Sequence, residues 1–233
     1  MNTNTQPATS SDHTPPPLPP APPVVRSPQR LFVLKEGDTF LVADAYGDVT
    51  GDGDGLFHND TRLLSAFTLR MDGRQPTLLS SAVSQDNAFF TASMTNHPLP
   101  QLGASSAPEG IIHVERRRFL WNDRIHERIA LTNYGDNPAQ VPMRLQYAAD
   151  FRDMFEVRGS ARSRRGELTE GQAGDRSVAL RYHGLDEVWR HVYLSFSEAP
   201  ARLDAREATF DIALPARGRW ELYVEIGPEE PVG

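Results

Sequence analysis

The chain has 233 residues, a formal charge of −7, 39% hydrophobic and 24% charged residues, and no cysteine. Without cysteine there is no disulfide scaffold, thiolate metal site or thiol nucleophile. No apolar run approaches the ~20 residues of a membrane span, no basic start leads into an apolar stretch, and the acidic balance argues against binding phosphate backbones. A soluble cytoplasmic protein with neither nucleic acid nor membrane as partner is expected.

Of 19 prolines, nine fall before Leu31 (Pro7, Pro15, Pro16, Pro17, Pro19, Pro20, Pro22, Pro23 and Pro28), with no glycine and only Asp12, Arg26 and Arg30 charged. Proline removes backbone donors and forbids helix, which predicts a disordered, solvated tail over residues 1–30 and one folded domain over 31–233.

Past the tail the apolar period is two. Leu31 to Leu34 and Thr39 to Val42 flank Lys35-Glu36-Gly37-Asp38 as a hairpin. Leu63, Phe67, Leu69 and Met71 share a strand face before the Asp72-Gly73 turn, and Thr77 to Val83 and Asn87 to Met94 follow as strands. Alternation is strongest over Ile111 to Leu120, through Ile125, Ile129 and Leu131, and after the Asn133 to Pro138 turn over Val141, Met143, Leu145 and Tyr147. It returns at Val192, Leu194 and Phe196, at Phe210 and Ile212, and at Trp220, Leu222, Val224 and Ile226. No stretch offers three helical turns of apolar positions. Roughly a dozen strands at hairpin spacing predict an all-β fold, a large antiparallel β-sandwich.

Two segments break this rhythm. Asp44 to Thr61 is rich in glycine and aspartate, and its Asp48–Asp54 portion invites a cation reading. An EF-hand needs a bidentate Glu at position twelve and flanking helices, and both are missing, so a tight solvated turn is expected, with no metal or cofactor. Asp150 to Arg165 holds Asp150, Asp153 and Glu156 among arginines. Spaced carboxylates suit glycoside hydrolysis, but interleaved Arg152 and Arg158 favour an ion-pair network. The runs Arg116-Arg117-Arg118 and Arg162-Ser163-Arg164-Arg165 read as solvated positions and ion pairs. Trp220, in phase with Leu222, reads as core.

Four segments stand in a familiar order: Gly55-Leu56-Phe57 leading to Asp60-Thr61-Arg62-Leu63-Leu64-Ser65, then Arg116-Arg117-Arg118-Phe119, then Glu127-Arg128-Ile129 with Asn133, then Ala149-Asp150-Phe151-Arg152-Asp153-Met154-Phe155-Glu156-Val157-Arg158-Gly159. Together they resemble the N-terminal domain of bacterial glycogen debranching enzymes of the amylo-α-1,6-glucosidase type. The likeness runs from about Leu34 through Gly166, and more weakly beyond. Gly51 to Asp54 departs from it as an acidic insertion. In that family the resemblance implies a following (α/α)-barrel that carries the catalytic carboxylates, for which this chain has no residues. No catalytic residue is therefore expected here. The resemblance implies an accessory domain that binds α-glucan or maltooligosaccharide, or docks on a separate (α/α)-barrel glucosidase. Asp60, Arg62, Asp150, Asp153, Glu156 and Arg158 are the candidates for glucan binding or a domain interface. The alternatives are a glycoside hydrolase using the Asp150–Glu156 cluster, and a structural interaction module whose Pro15 to Pro20 run recruits a partner.

Overall fold

The computed structural model describes residues 31–99 and 107–230, so the expectation for the proline-rich tail lies outside the described residues. Strands β1 (Phe32–Glu36), β2 (Thr39–Ala43), β3 (Gly55–His58) and β4 (Thr61–Leu64) form one antiparallel sheet in chain order. A second small sheet takes β5 (Ala66–Met71), β10 (Ala139–Ala148), β14 (Arg202–Leu203) and β15 (Glu207–Leu214), in the order β14-β15-β10-β5.

The largest sheet has eight strands. They are β6 (Thr77–Val83), β7 (Phe89–Thr95), β8 (Ile112–Trp121), β9 (Arg124–Asn133), β11 (Glu167–Ala173), β12 (Ser177–His183), β13 (Trp189–Phe196) and β16 (Arg219–Gly227). Their order is β11-β12-β13-β16-β9-β8-β7-β6, and every named pair is antiparallel.

The hairpins close on residues that tolerate a left-handed backbone. Asn59 and Asp60 (φ 46 and 58) join β3 to β4, and Asn122 and Asp123 (φ 52 and 59) join β8 to β9. Both are two-residue turns, as the pairs His58–Thr61 and Trp121–Arg124 require. Short polar Asn and Asp side chains bear this conformation at low cost. The Gly37-Asp38 turn closes the expected first hairpin, with Glu36 opposite Thr39.

Both small sheets pack on one face of the large sheet. Phe32 of β1 meets Phe90 of β7 at 5.5 Å between ring centroids, and Phe210 of β15 sits 5.9 Å from both Phe196 and Trp220. The apolar faces of all three sheets merge into one core, in which Ile112, Val114, Ile129, Val141, Leu145, Leu194 and Leu222 are buried. Each such side chain contributes about 1.5–3 kcal/mol on burial. Trp220 packs against this core half-buried.

The structure departs from the sequence expectations in three places. Strand β11 went unread because 167–173 alternates no apolar residues, being the outermost strand of the sheet and mostly exposed, and β12 was missed although Val178, Leu180 and Tyr182 alternate and are buried. Asp44 to Thr61 is not a solvated turn, since Asp44, Asp48 and Asp54 are all buried. Asp54 accepts from the Thr50 and Gly51 amides at 2.7 and 2.6 Å, and Asp44 from those of Tyr46 and Asp48. Arg116 and Arg118 are not solvated either. They alternate inward on β8 and are fully buried, whereas Arg117 faces out.

Candidate functional site

The two segments that interrupt the strand rhythm come together around Arg62. Its guanidinium forks onto Asp150, Nε to Oδ1 at 3.1 Å and Nη2 to Oδ2 at 2.5 Å, while Nη1 donates to the carbonyls of Gly51 and Asp54 at 3.1 Å each. The Arg62 stem crosses the β3–β4 hairpin over Gly55, where a Cβ would lie 2.6 Å from Arg62 Cδ and where φ is 151°. Glycine is what lets this arginine pass. Backbone bonds finish the joint: Arg62 N–H donates to the Arg152 carbonyl at 2.7 Å and Met154 N–H to that of Asp60 at 3.0 Å.

Phe151 follows with φ 49°, which is rare for a bulky side chain. Its buried ring stacks on Tyr182 at 5.6 Å, which holds the chain in that conformation. The reversal delivers Asp153 to the start of α1 (Met154–Val157), the only helix among the described residues. Asp153 caps it: Glu156 N–H donates to Asp153 Oδ1 at 2.8 Å, and Asp153 N–H donates back to Glu156 Oε2 at 3.1 Å.

Arginines from the following loop close over these acids. Arg162 bridges to Asp153 and approaches Glu156 at 3.7 Å. Arg165 lies 3.1 Å from Glu156, donates to the Asp150 carbonyl at 2.7 Å, and sits 5.7 Å above the Tyr182 ring. Beside them opens a cleft of about 320 Å³, whose far wall is Asp186 and Arg190. The hydrogen bond from Arg190 holds Asp186 well below the usual carboxylate range.

Of the six candidates, Asp153 and Glu156 line the cleft. Arg62 and Asp150 lie beneath as its frame. Asp60 is exposed at the hairpin tip and contributes its carbonyl, while Arg158 is exposed and ends α1. The arginines that meet the acids are Arg62, Arg162 and Arg165, with Arg152 3.5 Å from Asp150. Arg158 is not among them. Sequence reasoning passed over Tyr182, Asp186 and Arg190 because no run of residues marks them. Arg162 and Arg165 were visible as a basic run whose acidic partners were already named.

A second charged cluster lies between the sheets. Arg116 donates to Glu127 through Nε and to Asp48 through Nη1, each at 2.6 Å, and Arg70 reaches Asp48 at 2.7 Å. Arg118 Nε lies 2.8 Å from Glu127 Oε2, off the hydrogen-bond direction. Burial works against the Arg116 charge, and Glu127 and Asp48 together overcome it, lifting Arg116 above its ordinary value. Burial and the adjacent Arg116 push Arg118 down. Both guanidiniums lie over the Phe67 ring, at 5.7 and 5.2 Å. Among the described residues no group of three or more His, Asp or Glu is placed to hold a metal ion.

These joints are built from the GLF–DTR, RRRF, ERI and ADF–D–FEVRG blocks, and a family model matches the span that contains them all. The model, for the N-terminal domain of some glycogen debranching enzymes, covers residues 34–225. The chain belongs to this family. No curated protein matches it in sequence. Among solved structures it is similar to the Slr1438 protein of Synechocystis sp. PCC 6803, at 10% identity and TM-score 0.53, covering 87% of this chain and 97% of that one. It is also similar to a chain described as a kojibiose phosphorylase from the human microbiome, at 10% identity and TM-score 0.48, covering 87% of this chain and 24% of that one. At such identity the Slr1438 likeness speaks for the fold alone. No helix among the described residues is long and apolar enough to cross a membrane.

Proposed function

We propose that this debranching-family domain is an accessory module of α-glucan metabolism, and that its arginine–carboxylate cleft docks against a glucosidase (α/α)-barrel. The family match supports the setting, and one observation carries the assignment of the cleft. Asp150, Asp153 and Glu156 each have an arginine partner, and two of them also cap α1. A glycosidase pair needs one carboxyl free to protonate a leaving group and another free to attack or activate water. Carboxylates already committed to guanidiniums and backbone amides suit a polar interface better.

The test mixes the full chain with the (α/α)-barrel of a debranching enzyme from the same organism and follows assembly by light scattering. A complex lost in Arg162→Glu supports docking, and no complex at micromolar protein defeats it. The same preparation decides the hydrolase alternative. Glucose released from a limit dextrin by the chain alone, and abolished in Asp153→Asn, would establish a catalytic cleft. The alternative in which Pro15 to Pro20 recruits a partner concerns residues outside the described ones.

A further inference from the structure

We propose that the face of the eight-stranded sheet turned away from the small sheets carries a binding trough for a neutral chain of pyranose sugars. The docking reading is not needed for it. The cleft lies on the other side of this sheet, where Tyr182 and Arg190 point, and the trough is formed by the alternate residues.

The register builds it. Phe89, Phe119, His126 and Glu225 form one row across β7, β8, β9 and β16, and Thr91, Arg117, Arg128 and Tyr223 form the next. Between them Phe90, Arg118, Glu127 and Val224 point inward and are buried. The floor is therefore bare backbone. Its walls stand two residues apart along each strand, roughly 6.6 Å, and it crosses four strands, roughly 14 Å from first to last. The resulting space is about 440 Å³, within the range of small-molecule sites.

One wall is aromatic. Phe119 stacks on His126 at 4.9 Å and meets Phe89 at 5.8 Å with a 48° tilt. Phe89 is 57% exposed and Tyr223, across the trough, 51%. Apolar rings so open to water gain from any ligand that covers them. The C–H groups on a pyranose face carry partial positive charge and suit the negative face of an aromatic ring.

The charges of the trough are paired, which selects the ligand class. Glu115 bridges Arg117 and Arg128 at 3.0 Å each, and Arg128 forks onto Glu221 at 3.2 and 2.8 Å. Tyr223 Oη donates to Glu221 at 3.0 Å. Glu225 lies 3.8 Å from His126 and 3.9 Å from Arg124. Arg219 also reaches Glu221, at 2.7 Å, so four guanidiniums meet three carboxylates, and each of these charges already has an opposite partner. Paired guanidiniums and carboxylates still offer edges to hydroxyl groups, which donate and accept at once. A peptide strand could not add to this floor, because its N–H and C=O groups are used within the sheet.

The test is amide chemical-shift mapping on the full chain with maltohexaose, cellohexaose and a peptide of residues 13–24, each at millimolar concentration. The expected result is saturable shifts at Phe119, His126, Arg128 and Tyr223 with one or both hexasaccharides. Affinity should fall at least about tenfold in Phe119→Ser and stay unchanged in Asp153→Asn, which alters only the cleft. Glu221→Gln, at a half-buried position, serves as a second trough variant should Phe119→Ser fail to fold. No shifts with either sugar, shifts that survive the trough variants, shifts that map to the cleft, or tighter binding of the proline-rich peptide would each overturn the proposal.

Discussion

Arg62 and Asp150 stand 88 residues apart in the chain and meet as a two-pronged ion pair, with the arginine almost wholly buried. The pair ties the glycine-rich loop to the acidic loop. The glycine-rich loop leans on the acidic one through this guanidinium, which also binds the Gly51 and Asp54 carbonyls.

Arg62→Met should therefore cost on the order of 3 kcal/mol in urea unfolding, since it leaves Asp150 only the longer contact with Arg152 and removes the Arg62 donor from two carbonyls. Adding Asp150→Leu should recover part of that loss. A double variant no more stable than Arg62→Met alone would show that the carboxylate is not what suffers.

Gly55→Ala tests the passage of the Arg62 stem. Ordinary glycine-to-alanine changes alter stability by about 1 kcal/mol or less. Here the new methyl would press on Arg62 Cδ at 2.6 Å and on the Leu64 carbonyl oxygen at 2.7 Å, at a backbone angle alanine avoids. A loss of roughly 2–4 kcal/mol is expected, read as a lower urea midpoint with an unchanged slope. A neutral result would mean that the hairpin opens easily.

Glu127→Gln should be among the most damaging single changes to the buried cluster, about 3–5 kcal/mol, because Arg118 loses its carboxylate and Asp48 alone is left to balance two buried guanidiniums. Arg117→Gln, one residue from each of them but turned outward, should stay within about 0.5 kcal/mol. Thermal melts of the two variants side by side would expose any error in the assigned facing of β8.

Asp44 gives a pH dependence with a definite sign. Burial first, and then the neighbouring Asp48, push its carboxyl above the ordinary aspartate value. In the window between the unfolded value and that raised one, the folded state holds more protons than the unfolded state. Stability tied to Asp44 thus falls as pH rises through the window, and the ionised group is a net cost above it. Asp44→Asn keeps an oxygen for the Tyr46 and Asp48 amides. Its urea midpoint should gain on wild type from pH 4 to pH 7 and lose that gain in acid. A constant difference across the range would assign the effect to packing.

The strands that bury one apolar face were legible because alternation is a direct image of the pleat: β8, β9, β10, β13, β15 and β16 all announced themselves. Strand β11 did not, since an outermost strand with both faces wet leaves no periodic trace. The family blocks pointed to Arg62, Asp150, Asp153 and Glu156, which the fold does gather. What they could not supply was depth. Arg116 and Arg118 look like surface residues in sequence, and only the three-dimensional meeting with Glu127 and Asp48 makes their burial tolerable. Phe151 was unremarkable as a letter, and its left-handed backbone follows from a ring stack with Tyr182 that no local signal encodes.

The three consecutive arginines of β8 also bear on how the sheet finds its alignment. A slip of one residue against β9 would exchange inside for outside, and hydrophobicity alone would penalise it weakly in this stretch, where either phase buries arginine. Only one phase delivers Arg116 and Arg118 to Glu127 while Asp48 arrives from the loop between β2 and β3. The charged cluster thus acts as a key cut for a single alignment, in the one part of the strand where greasiness could not choose.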